Sequence, residues 1–170
     1  MNLIAVVDRN WAIGRGGKLL AHISADLRYF RRMTAGKVVV MGRKTLESFP
    51  KMQPLPDRIN IVLTQDKTYT CEGALIVHSV EEALEKVRAY PAEDVFIIGG
   101  GQIYRSFLPH CDAAYITKVD YEYDADTYFP NLDQDPDWKL VEIGEEQTQL
   151  DLIFQFIKYK RIAEQTKKEQ

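Results

Sequence analysis

The chain has 170 residues, 45% of them hydrophobic, and its 22 Lys and Arg against 25 Asp and Glu leave a formal net charge of -3. This size and composition suit one domain with one core, and the mildly acidic balance disfavours nucleic acid or an anionic membrane as partner. Cys71 and Cys111 lack CxxC spacing and accompanying His pairs, so free thiols are expected in place of a disulfide or a zinc site.

Short runs rich in Val and Ile predict buried strands at 3–8, 38–42, 59–64, 74–78 and 95–100. Because these runs do not alternate with polar residues, they favour a mainly parallel sheet that helices cover on both faces. Helices are predicted between the strands, after N-caps at Ser24 and Ser79 and from Gly101 until Pro109 stops the helix.

Beyond Pro109 the pattern predicts a strand at 113–123, a polar stretch, and two strands at 138–146 and 152–161 that form an antiparallel hairpin. The fold class is therefore α/β with an antiparallel end. One domain is expected over residues 1–161, followed by a polar tail at 162–170 that frays. The N-terminal segment has no basic region and no stretch approaches the roughly 20 apolar residues of a membrane span, so a cytoplasmic location is expected.

Asp26 lies in the first turn of an amphipathic helix, and the spacing of Leu27, Phe30 and Met33 places Leu27 and Phe30 beside the carboxylate on the inward side. A first-turn acid commonly does no more than interact with the helix dipole in solvent. If the carboxylate instead faces an apolar cleft, its pKa is raised and it can bind a cationic ligand edge or assist proton transfer. The helix alone leaves both interpretations open.

The segment VVVMGRKT at 38–45 runs from a buried strand through Gly42 into Arg43, Lys44 and Thr45. Basic residues at this point are often only the solvated end of an element. Gly42 favours an anion site, because a ligand can approach the backbone closely where there is no side chain.

The segment IIGGGQIY at 97–104 carries a strand into three consecutive glycines and a helix start. It is similar to a pyrophosphate cradle but is not the G-x-G-x-x-G fingerprint, because Tyr104 occupies the third glycine position. A plain tight turn remains an alternative. Arg58, just before a strand, could bind a ligand carboxylate or simply lie at the surface.

Taken together and in order, LIAVVDRNWAIG, ADLRYFRRMT, VVVMGRKTLESFP, PLPDRINIVLT, FIIGGGQIY, AYITKVD and DADTYFP resemble the dihydrofolate reductase family over residues 2 to 160. The resemblance implies a single domain with a central, mostly parallel sheet of about eight strands, an antiparallel C-terminal hairpin and about four flanking helices. It also implies reduction of dihydrofolate by NADPH in one-carbon metabolism, an antifolate target and a monomeric chain.

On the substrate side, the resemblance implies that Asp26 binds the pterin edge and supports protonation of N5, with Thr117 hydrogen-bonding the carboxylate. Arg58 would hold the glutamate carboxylate. The apolar walls around the pterin and benzoyl groups would be Ile4, Ala5, Leu27, Phe30, Phe49, Leu55 and Ile98.

On the cofactor side, Arg43 near the 2′-phosphate would favour NADPH over NADH, and a cis peptide is implied between Gly99 and Gly100. The segment from Ile13 to Leu19 resembles a mobile loop that closes over the nicotinamide. The residues implied to contact the cofactor are Val6, Ile13, Gly17, Leu19, Gly42, Arg43, Lys44, Thr45, Leu63, Thr64, Gln65, Gly99, Gly100, Gly101, Gln102, Ile103 and Tyr104.

The chain also departs from the family pattern. Leu20 and Ala21 stand where Pro-Trp is usual, Ser24 where a proline is common, Leu46 where Trp is common, and Asp57 where Gly is frequent. Ala21 should leave one edge of the pocket wetter or filled by neighbours, which predicts altered antifolate affinity.

Two other functions are weighed against this one. A riboflavin-pathway reductase shares the implied fold and NADPH site, but it needs a ribitol-phosphate site in place of the carboxylate-binding Arg58. A non-catalytic folate or nucleotide binder is the other alternative, and Asp26 with the intact glycine turn argues against it.

Overall fold

The computed structural model describes residues 1–163, so most of the predicted fraying tail lies outside the described residues. The four helices in this range are α1 (Ser24–Thr34), α2 (Arg43–Glu47), α3 (Val80–Val87) and α4 (Gly101–Phe107). The strands are β1 (Asn2–Val7), β2 (Ala12–Arg15), β3 (Lys18–Leu19), β4 (Val38–Gly42), β5 (Ile59–Leu63), β6 (Ala74–Val77), β7 (Val95–Gly99), β8 (Ala113–Val119), β9 (Thr127–Tyr128), β10 (Trp138–Ile143), β11 (Gln147–Gln149) and β12 (Leu152–Arg161).

The main sheet has the strand order β10-β12-β8-β1-β7-β4-β5-β6, with β11 paired to β12. The six strands from β8 to β6 pair in parallel, whereas β12 runs antiparallel to β8, β10 and β11. This arrangement confirms the predicted α/β fold with a mostly parallel sheet and an antiparallel C-terminal end.

Core side chains cover both faces of the sheet. In β4, Val38 and Val40 pack in one apolar cluster while Val39 and Met41 pack in another, as expected because successive side chains of a strand point to opposite faces. Both faces of the central strands are therefore dry. That is why these strands contain continuous apolar runs and no polar alternation.

The carboxyl ends of the central parallel strands meet at one edge of the sheet. In the register of the ladders, Gly42 pairs with Leu63, and Met41 pairs with Gly99. The chain leaves each strand here through a turn or loop, so residues distant in sequence become neighbours. We call this side the carboxyl edge.

The two predicted N-caps have different outcomes. Ser79 caps α3 as predicted, because its Oγ accepts a hydrogen bond from the Glu82 backbone N–H at 3.0 Å. Ser24 is wrong as a cap: it is the first residue of α1, Ile23 occupies the N-cap position, and no side chain at that position caps the helix. Instead the Gln149 side-chain oxygen accepts from Ala25 N–H at 3.1 Å.

A second, three-stranded sheet of order β3-β2-β9 lies beside the main one. Part of the segment predicted as a loop at 13–19 forms its hairpin, which turns at Gly16 and Gly17 with φ of 57° and 76°. Strand β9 comes from the stretch predicted to be polar and irregular. Among residues 1–163, no helix is long and apolar enough to cross a membrane.

Candidate active site

A buried carboxyl group lies where α1 packs against the main sheet. Asp26, in the first turn of α1, is 8% exposed, and Thr117, in β8, is 1% exposed. The Thr117 hydroxyl donates to Asp26 Oδ1 at 2.5 Å, and Thr117 pairs with Val6 of β1. The interpretation of Asp26 as a solvated first-turn acid is therefore wrong.

Burial controls the titration of this carboxyl group. Desolvation raises the pKa of Asp26 above its ordinary value of 3.8, and the hydrogen bond from Thr117 offsets part of that rise. An apolar environment destabilises the charged carboxylate, whereas a hydroxyl donor stabilises it. The result is an acid that holds its proton at a higher pH than a surface aspartate does.

An apolar cluster lies on the same face of the sheet as the carboxyl group. Five of the predicted wall residues belong to one apolar cluster there, together with the buried Met41 and Leu46; these five are Ile4, Phe30, Phe49, Leu55 and Ile98. Ala5 packs in the cluster on the opposite face, because neighbouring residues of β1 alternate. The side chain of Leu27 is 56% exposed, so it is not buried beside the carboxylate as the spacing predicted.

Arg58 lies three residues after Leu55, a member of this cluster. Its Nε donates to the Pro56 carbonyl at 2.9 Å and one Nη donates to Thr34 Oγ1 at 3.2 Å. Burial, then the nearby Arg31, lowers the pKa of the guanidinium. Leu55 and Arg58 border an open cavity of about 460 Å³, which Glu72 also lines.

The glycine turn follows β7 at the carboxyl edge. The Gly99–Gly100 peptide is cis and Gly99 has a φ of 133°. The Tyr104 hydroxyl donates to the Ile4 carbonyl at 2.7 Å, which ties α4 to β1. A Cβ at Gly101 would lie only 2.7 Å from Thr127 Cγ2, so α4 packs too closely against β9 for a larger residue.

The basic segment after β4 lies next to this turn. The Thr45 hydroxyl is 3.4 Å from where a Cβ would stand on Gly99, and a Cβ on Gly42 would lie 3.0 Å from Ile103. The structure thus brings two of the predicted cofactor segments together. Arg43 is partly exposed, whereas Lys44 and Gln65 are exposed and Thr64 is buried.

The remaining predicted cofactor residues fall into two groups. Val6, Leu63, Ile103 and Tyr104 are wholly or partly buried at the ends of the central elements, while Gln102 is exposed. In the hairpin segment, Ile13 is 7% exposed, Leu19 is 57% exposed, and Gly17 is also exposed. Leu19 is therefore an exposed side chain that is not part of the core.

Two acidic residues that the sequence did not single out hold the β2–β3 hairpin in place. Asp126 Oδ2 accepts from Gly16 N–H at 2.9 Å, and Asp126 N–H donates to the Gly14 carbonyl at 3.0 Å. Asp8, 2% exposed, accepts from three backbone N–H groups, those of Asn10, Ala12 and Tyr123. Both residues lie in segments that carry the family resemblance, DADTYFP for Asp126 and LIAVVDRNWAIG for Asp8, but the sequence predicted no role for either.

These features define a class of protein before any comparison is made. A mostly parallel α/β sheet has at its carboxyl edge a glycine turn next to basic residues, and one face of the sheet carries an apolar cluster and the buried Asp26. A turn whose backbone is open at Gly100 suits a dinucleotide, and an apolar wall with a buried acid suits a flat ligand with a polar edge. The architecture is that of a nucleotide-dependent enzyme acting on a small molecule.

Comparison with known proteins identifies the family. The family model described as "Dihydrofolate reductase" matches residues 1–161, and the chain belongs to the dihydrofolate reductase family. The chain is 36% identical over 163 residues to a dihydrofolate reductase of Bacillus subtilis, covering 95% of this chain and 94% of the relative. It is 39% identical over 143 residues to one of Staphylococcus haemolyticus, covering 84% and 83%.

A solved structure is similar over almost the whole fold. It is a dihydrofolate reductase from Enterococcus faecalis complexed with NADP(H) and RAB-propyl, with a TM-score of 0.84 and 33% identity. The alignment covers 95% of this chain and 96% of the other.

Proposed function

We propose that this chain reduces 7,8-dihydrofolate to 5,6,7,8-tetrahydrofolate with NADPH, and that Asp26 is the residue that binds the pterin and supplies the proton. The observation that carries this proposal is the buried Asp26 carboxyl group, which accepts a hydrogen bond from Thr117 and lies on the same face of the sheet as an apolar cluster. The family assignment supports the reaction.

Asp26 would recognise the pterin through its polar edge. A carboxylate in a dry site binds paired N–H donors strongly, because few competing water molecules reach it. The Thr117 hydroxyl fixes one oxygen, Oδ1, and the other would bind the ligand edge. The aromatic and aliphatic wall, which includes Phe30 and Phe49, would supply contact area for the flat ring.

Arg58 would bind the carboxylate of the substrate's glutamate. A guanidinium has five N–H donors, and two of these bond to Pro56 and Thr34. Among residues 1–163 no carboxylate lies within ion-pair distance of Arg58. The remaining donors therefore suit a carboxylate from a ligand, and bidentate binding would give directional recognition.

NADPH would bind along the carboxyl edge. Thr45 stands beside the glycine turn, and Arg43 supplies positive charge. The fit is supported at Gly100, where a Cβ would meet only Thr45 Oγ1, at 3.8 Å, so the backbone is open to a ligand there. Gly42 and Gly101 are instead required by packing, because a Cβ would meet Ile103 or Thr127 at 3.0 and 2.7 Å. When bound, NADPH supplies the hydride that is transferred from nicotinamide C4 to pterin C6.

The chain's own residues contribute proton supply, positioning and exclusion of water. The raised pKa of Asp26 lets this residue hold a proton at a pH closer to neutral. Asp26 would thereby assist the protonation of pterin N5. The β2–β3 hairpin, held by Asp126, would cover the reacting atoms and keep solvent out. Positioning of the two reactants supplies much of the rate acceleration.

The test is oxidation of NADPH by the purified chain when dihydrofolate is added, followed as loss of absorbance at the reduced nicotinamide band. Dihydrofolate-dependent oxidation is expected, and Asp26→Asn should abolish most of it at neutral pH. Binding of both ligands without oxidation would support a non-catalytic binder. Oxidation dependent only on a pyrimidine precursor of riboflavin would support the other reductase.

We further propose that the chain acts as a monomer in the cytoplasm. Asp26, Thr117, Arg58 and the glycine turn all come from one chain, so the site needs no second copy. Both cysteines are free thiols, a state that a reducing compartment maintains. We expect light scattering to give the mass of one chain. We also expect the activity to be recovered in the cytosolic fraction.

A further inference from the structure

Arg43 is held by acidic and aromatic neighbours on three sides. Its Nε contacts Glu47 Oε1 at 2.8 Å, one turn further along α2, and an Nη contacts Asp66 Oδ2 at 3.3 Å. The guanidinium carbon lies 4.6 Å from the centre of the Tyr69 ring. One cation is thus shared by two carboxylates, and its side chain is 41% exposed.

Asp66 is itself fixed in place by its own loop. Its Oδ1 accepts from the Thr68 N–H at 2.9 Å and from the Thr68 hydroxyl at 2.6 Å, which leaves Oδ2 facing Arg43. These Thr68 hydrogen bonds hold the pKa of Asp66 below its ordinary value. The residue is therefore a fixed negative charge at neutral pH.

This group of residues is continuous with the proposed cofactor edge. The Asp66 N–H donates to Thr64 Oγ1 at 3.2 Å, and the Thr64 carbonyl bonds to His78 Nδ1 at 2.8 Å. Leu63, one residue earlier, pairs with Gly42, which directly precedes Arg43. An anion that reached Arg43 from this edge would meet the Asp66 carboxylate within a few ångströms.

We propose that Asp66 is a specificity-determining residue, which weakens this chain's preference for nucleotides with a 2′-phosphate by competing for Arg43. The inference rests on the proposed function, in which Arg43 meets that phosphate. A ligand phosphate must displace Asp66 from the guanidinium or lie against its negative charge, and both lower the affinity. An exposed pair of unit charges about 4 Å apart changes a binding constant by roughly fivefold.

The test compares two ligands that differ only in the 2′-phosphate, 2′,5′-ADP and 5′-AMP, by calorimetric titration of the full chain. Asp66→Asn removes the charge and keeps an oxygen that can accept from Thr68. It should raise the affinity for 2′,5′-ADP by about three- to tenfold, change that for 5′-AMP by less than about twofold, and lose much of this effect in high salt.

Asp112→Asn is the matched control, because it makes the same charge change at an 80% exposed residue just before β8, at the opposite edge of the sheet. It should leave both affinities unchanged. An equal affinity for 2′,5′-ADP in the Asp66→Asn variant and the parent would overturn the proposal, as would an equal gain for both ligands.

A kinetic measurement separates this proposal from the proposed function. With dihydrofolate as substrate, Asp66→Asn should raise the NADPH to NADH ratio of kcat/KM by the same three- to tenfold, through KM for NADPH. If the parent oxidises no NADPH, the proposed function fails, but the titrations still test Asp66. If the parent is active and the ratio is unchanged, only the Asp66 proposal fails.

Discussion

Replacing Asp26 with Asn should make the chain more stable and nearly inactive. The Asp26 side chain is 8% exposed, and among residues 1–163 Thr117 is its one hydrogen-bond donor. A buried carboxylate with so few donors carries a desolvation cost of several kcal/mol. The hydrogen bond from Thr117 offsets about 1.5–3 kcal/mol of this desolvation cost. Because Asn removes the charge and keeps an acceptor for Thr117, a net gain of about 1 kcal/mol is expected, or roughly 2–4 °C in Tm.

The stability difference should depend on pH in a defined direction. The folded-state pKa of Asp26 is raised above 3.8, so the folded chain binds this proton more tightly than the unfolded chain does. Burial of the charged carboxylate therefore lowers the free energy of unfolding by its full amount above the folded-state pKa. This loss of stability disappears as the pH falls toward 3.8. The advantage of the Asp26→Asn variant should be largest near neutral pH and vanish in acid.

Urea denaturation across pH and a steady-state assay with dihydrofolate measure both effects. At neutral pH the rate should fall by about 10²- to 10⁴-fold, the usual contribution of a positioned acid. Asp112→Asn, at an 80% exposed side chain that pairs with the N-terminal amine, should instead lower stability by no more than about 1 kcal/mol. A destabilised or fully active Asp26→Asn variant would refute the reasoning.

Three further predictions concern the hairpin, a turn and the pocket edge. Asp126→Ala removes the acceptor for Gly16 N–H, so amide exchange at Gly16 should quicken and kcat should fall several-fold; unchanged exchange would contradict the anchoring role. Asp57 has a φ of 58°, so Asp57→Gly should raise the free energy of unfolding by about 0.5 kcal/mol in urea titrations, and a loss of stability would count against backbone strain there. Ala21 is half-buried beside a small cluster around Val119, so Ala21→Trp should change the Kd of a diaminopyrimidine antifolate by about threefold or more, and an equal Kd would show that position 21 does not shape the pocket.

Features that depend on local sequence were predictable. The apolar runs predicted the parallel strands because burial on both faces leaves no polar alternation, and the order of segments predicted the family. Ser79 was correctly predicted as a cap because the cap and its partner Glu82 are three residues apart. The glycine run at 99–101 was visible because a close backbone approach requires the absence of side chains.

Features decided by distant residues were not predictable from the pattern alone. The Ala25 N–H at the start of α1 donates to the side chain of Gln149, 124 residues further along the chain. The local signal from Ser24 was therefore misleading. The burial of Asp26 is decided by packing against β8, which supplies Thr117 91 residues away. The strands of the small sheet are two to four residues long, too short for a periodic signal.

The desolvated Asp26 carboxyl group is central to the proposed reaction, and its titration can be measured directly. Labelling the aspartate carboxyl carbons with ¹³C and following them by NMR across pH, with the Asp26→Asn variant to assign the signal, gives its pKa. We expect a pKa above 3.8 in the free enzyme. A value at or below 3.8 would contradict the assignment of Asp26 as the proton source.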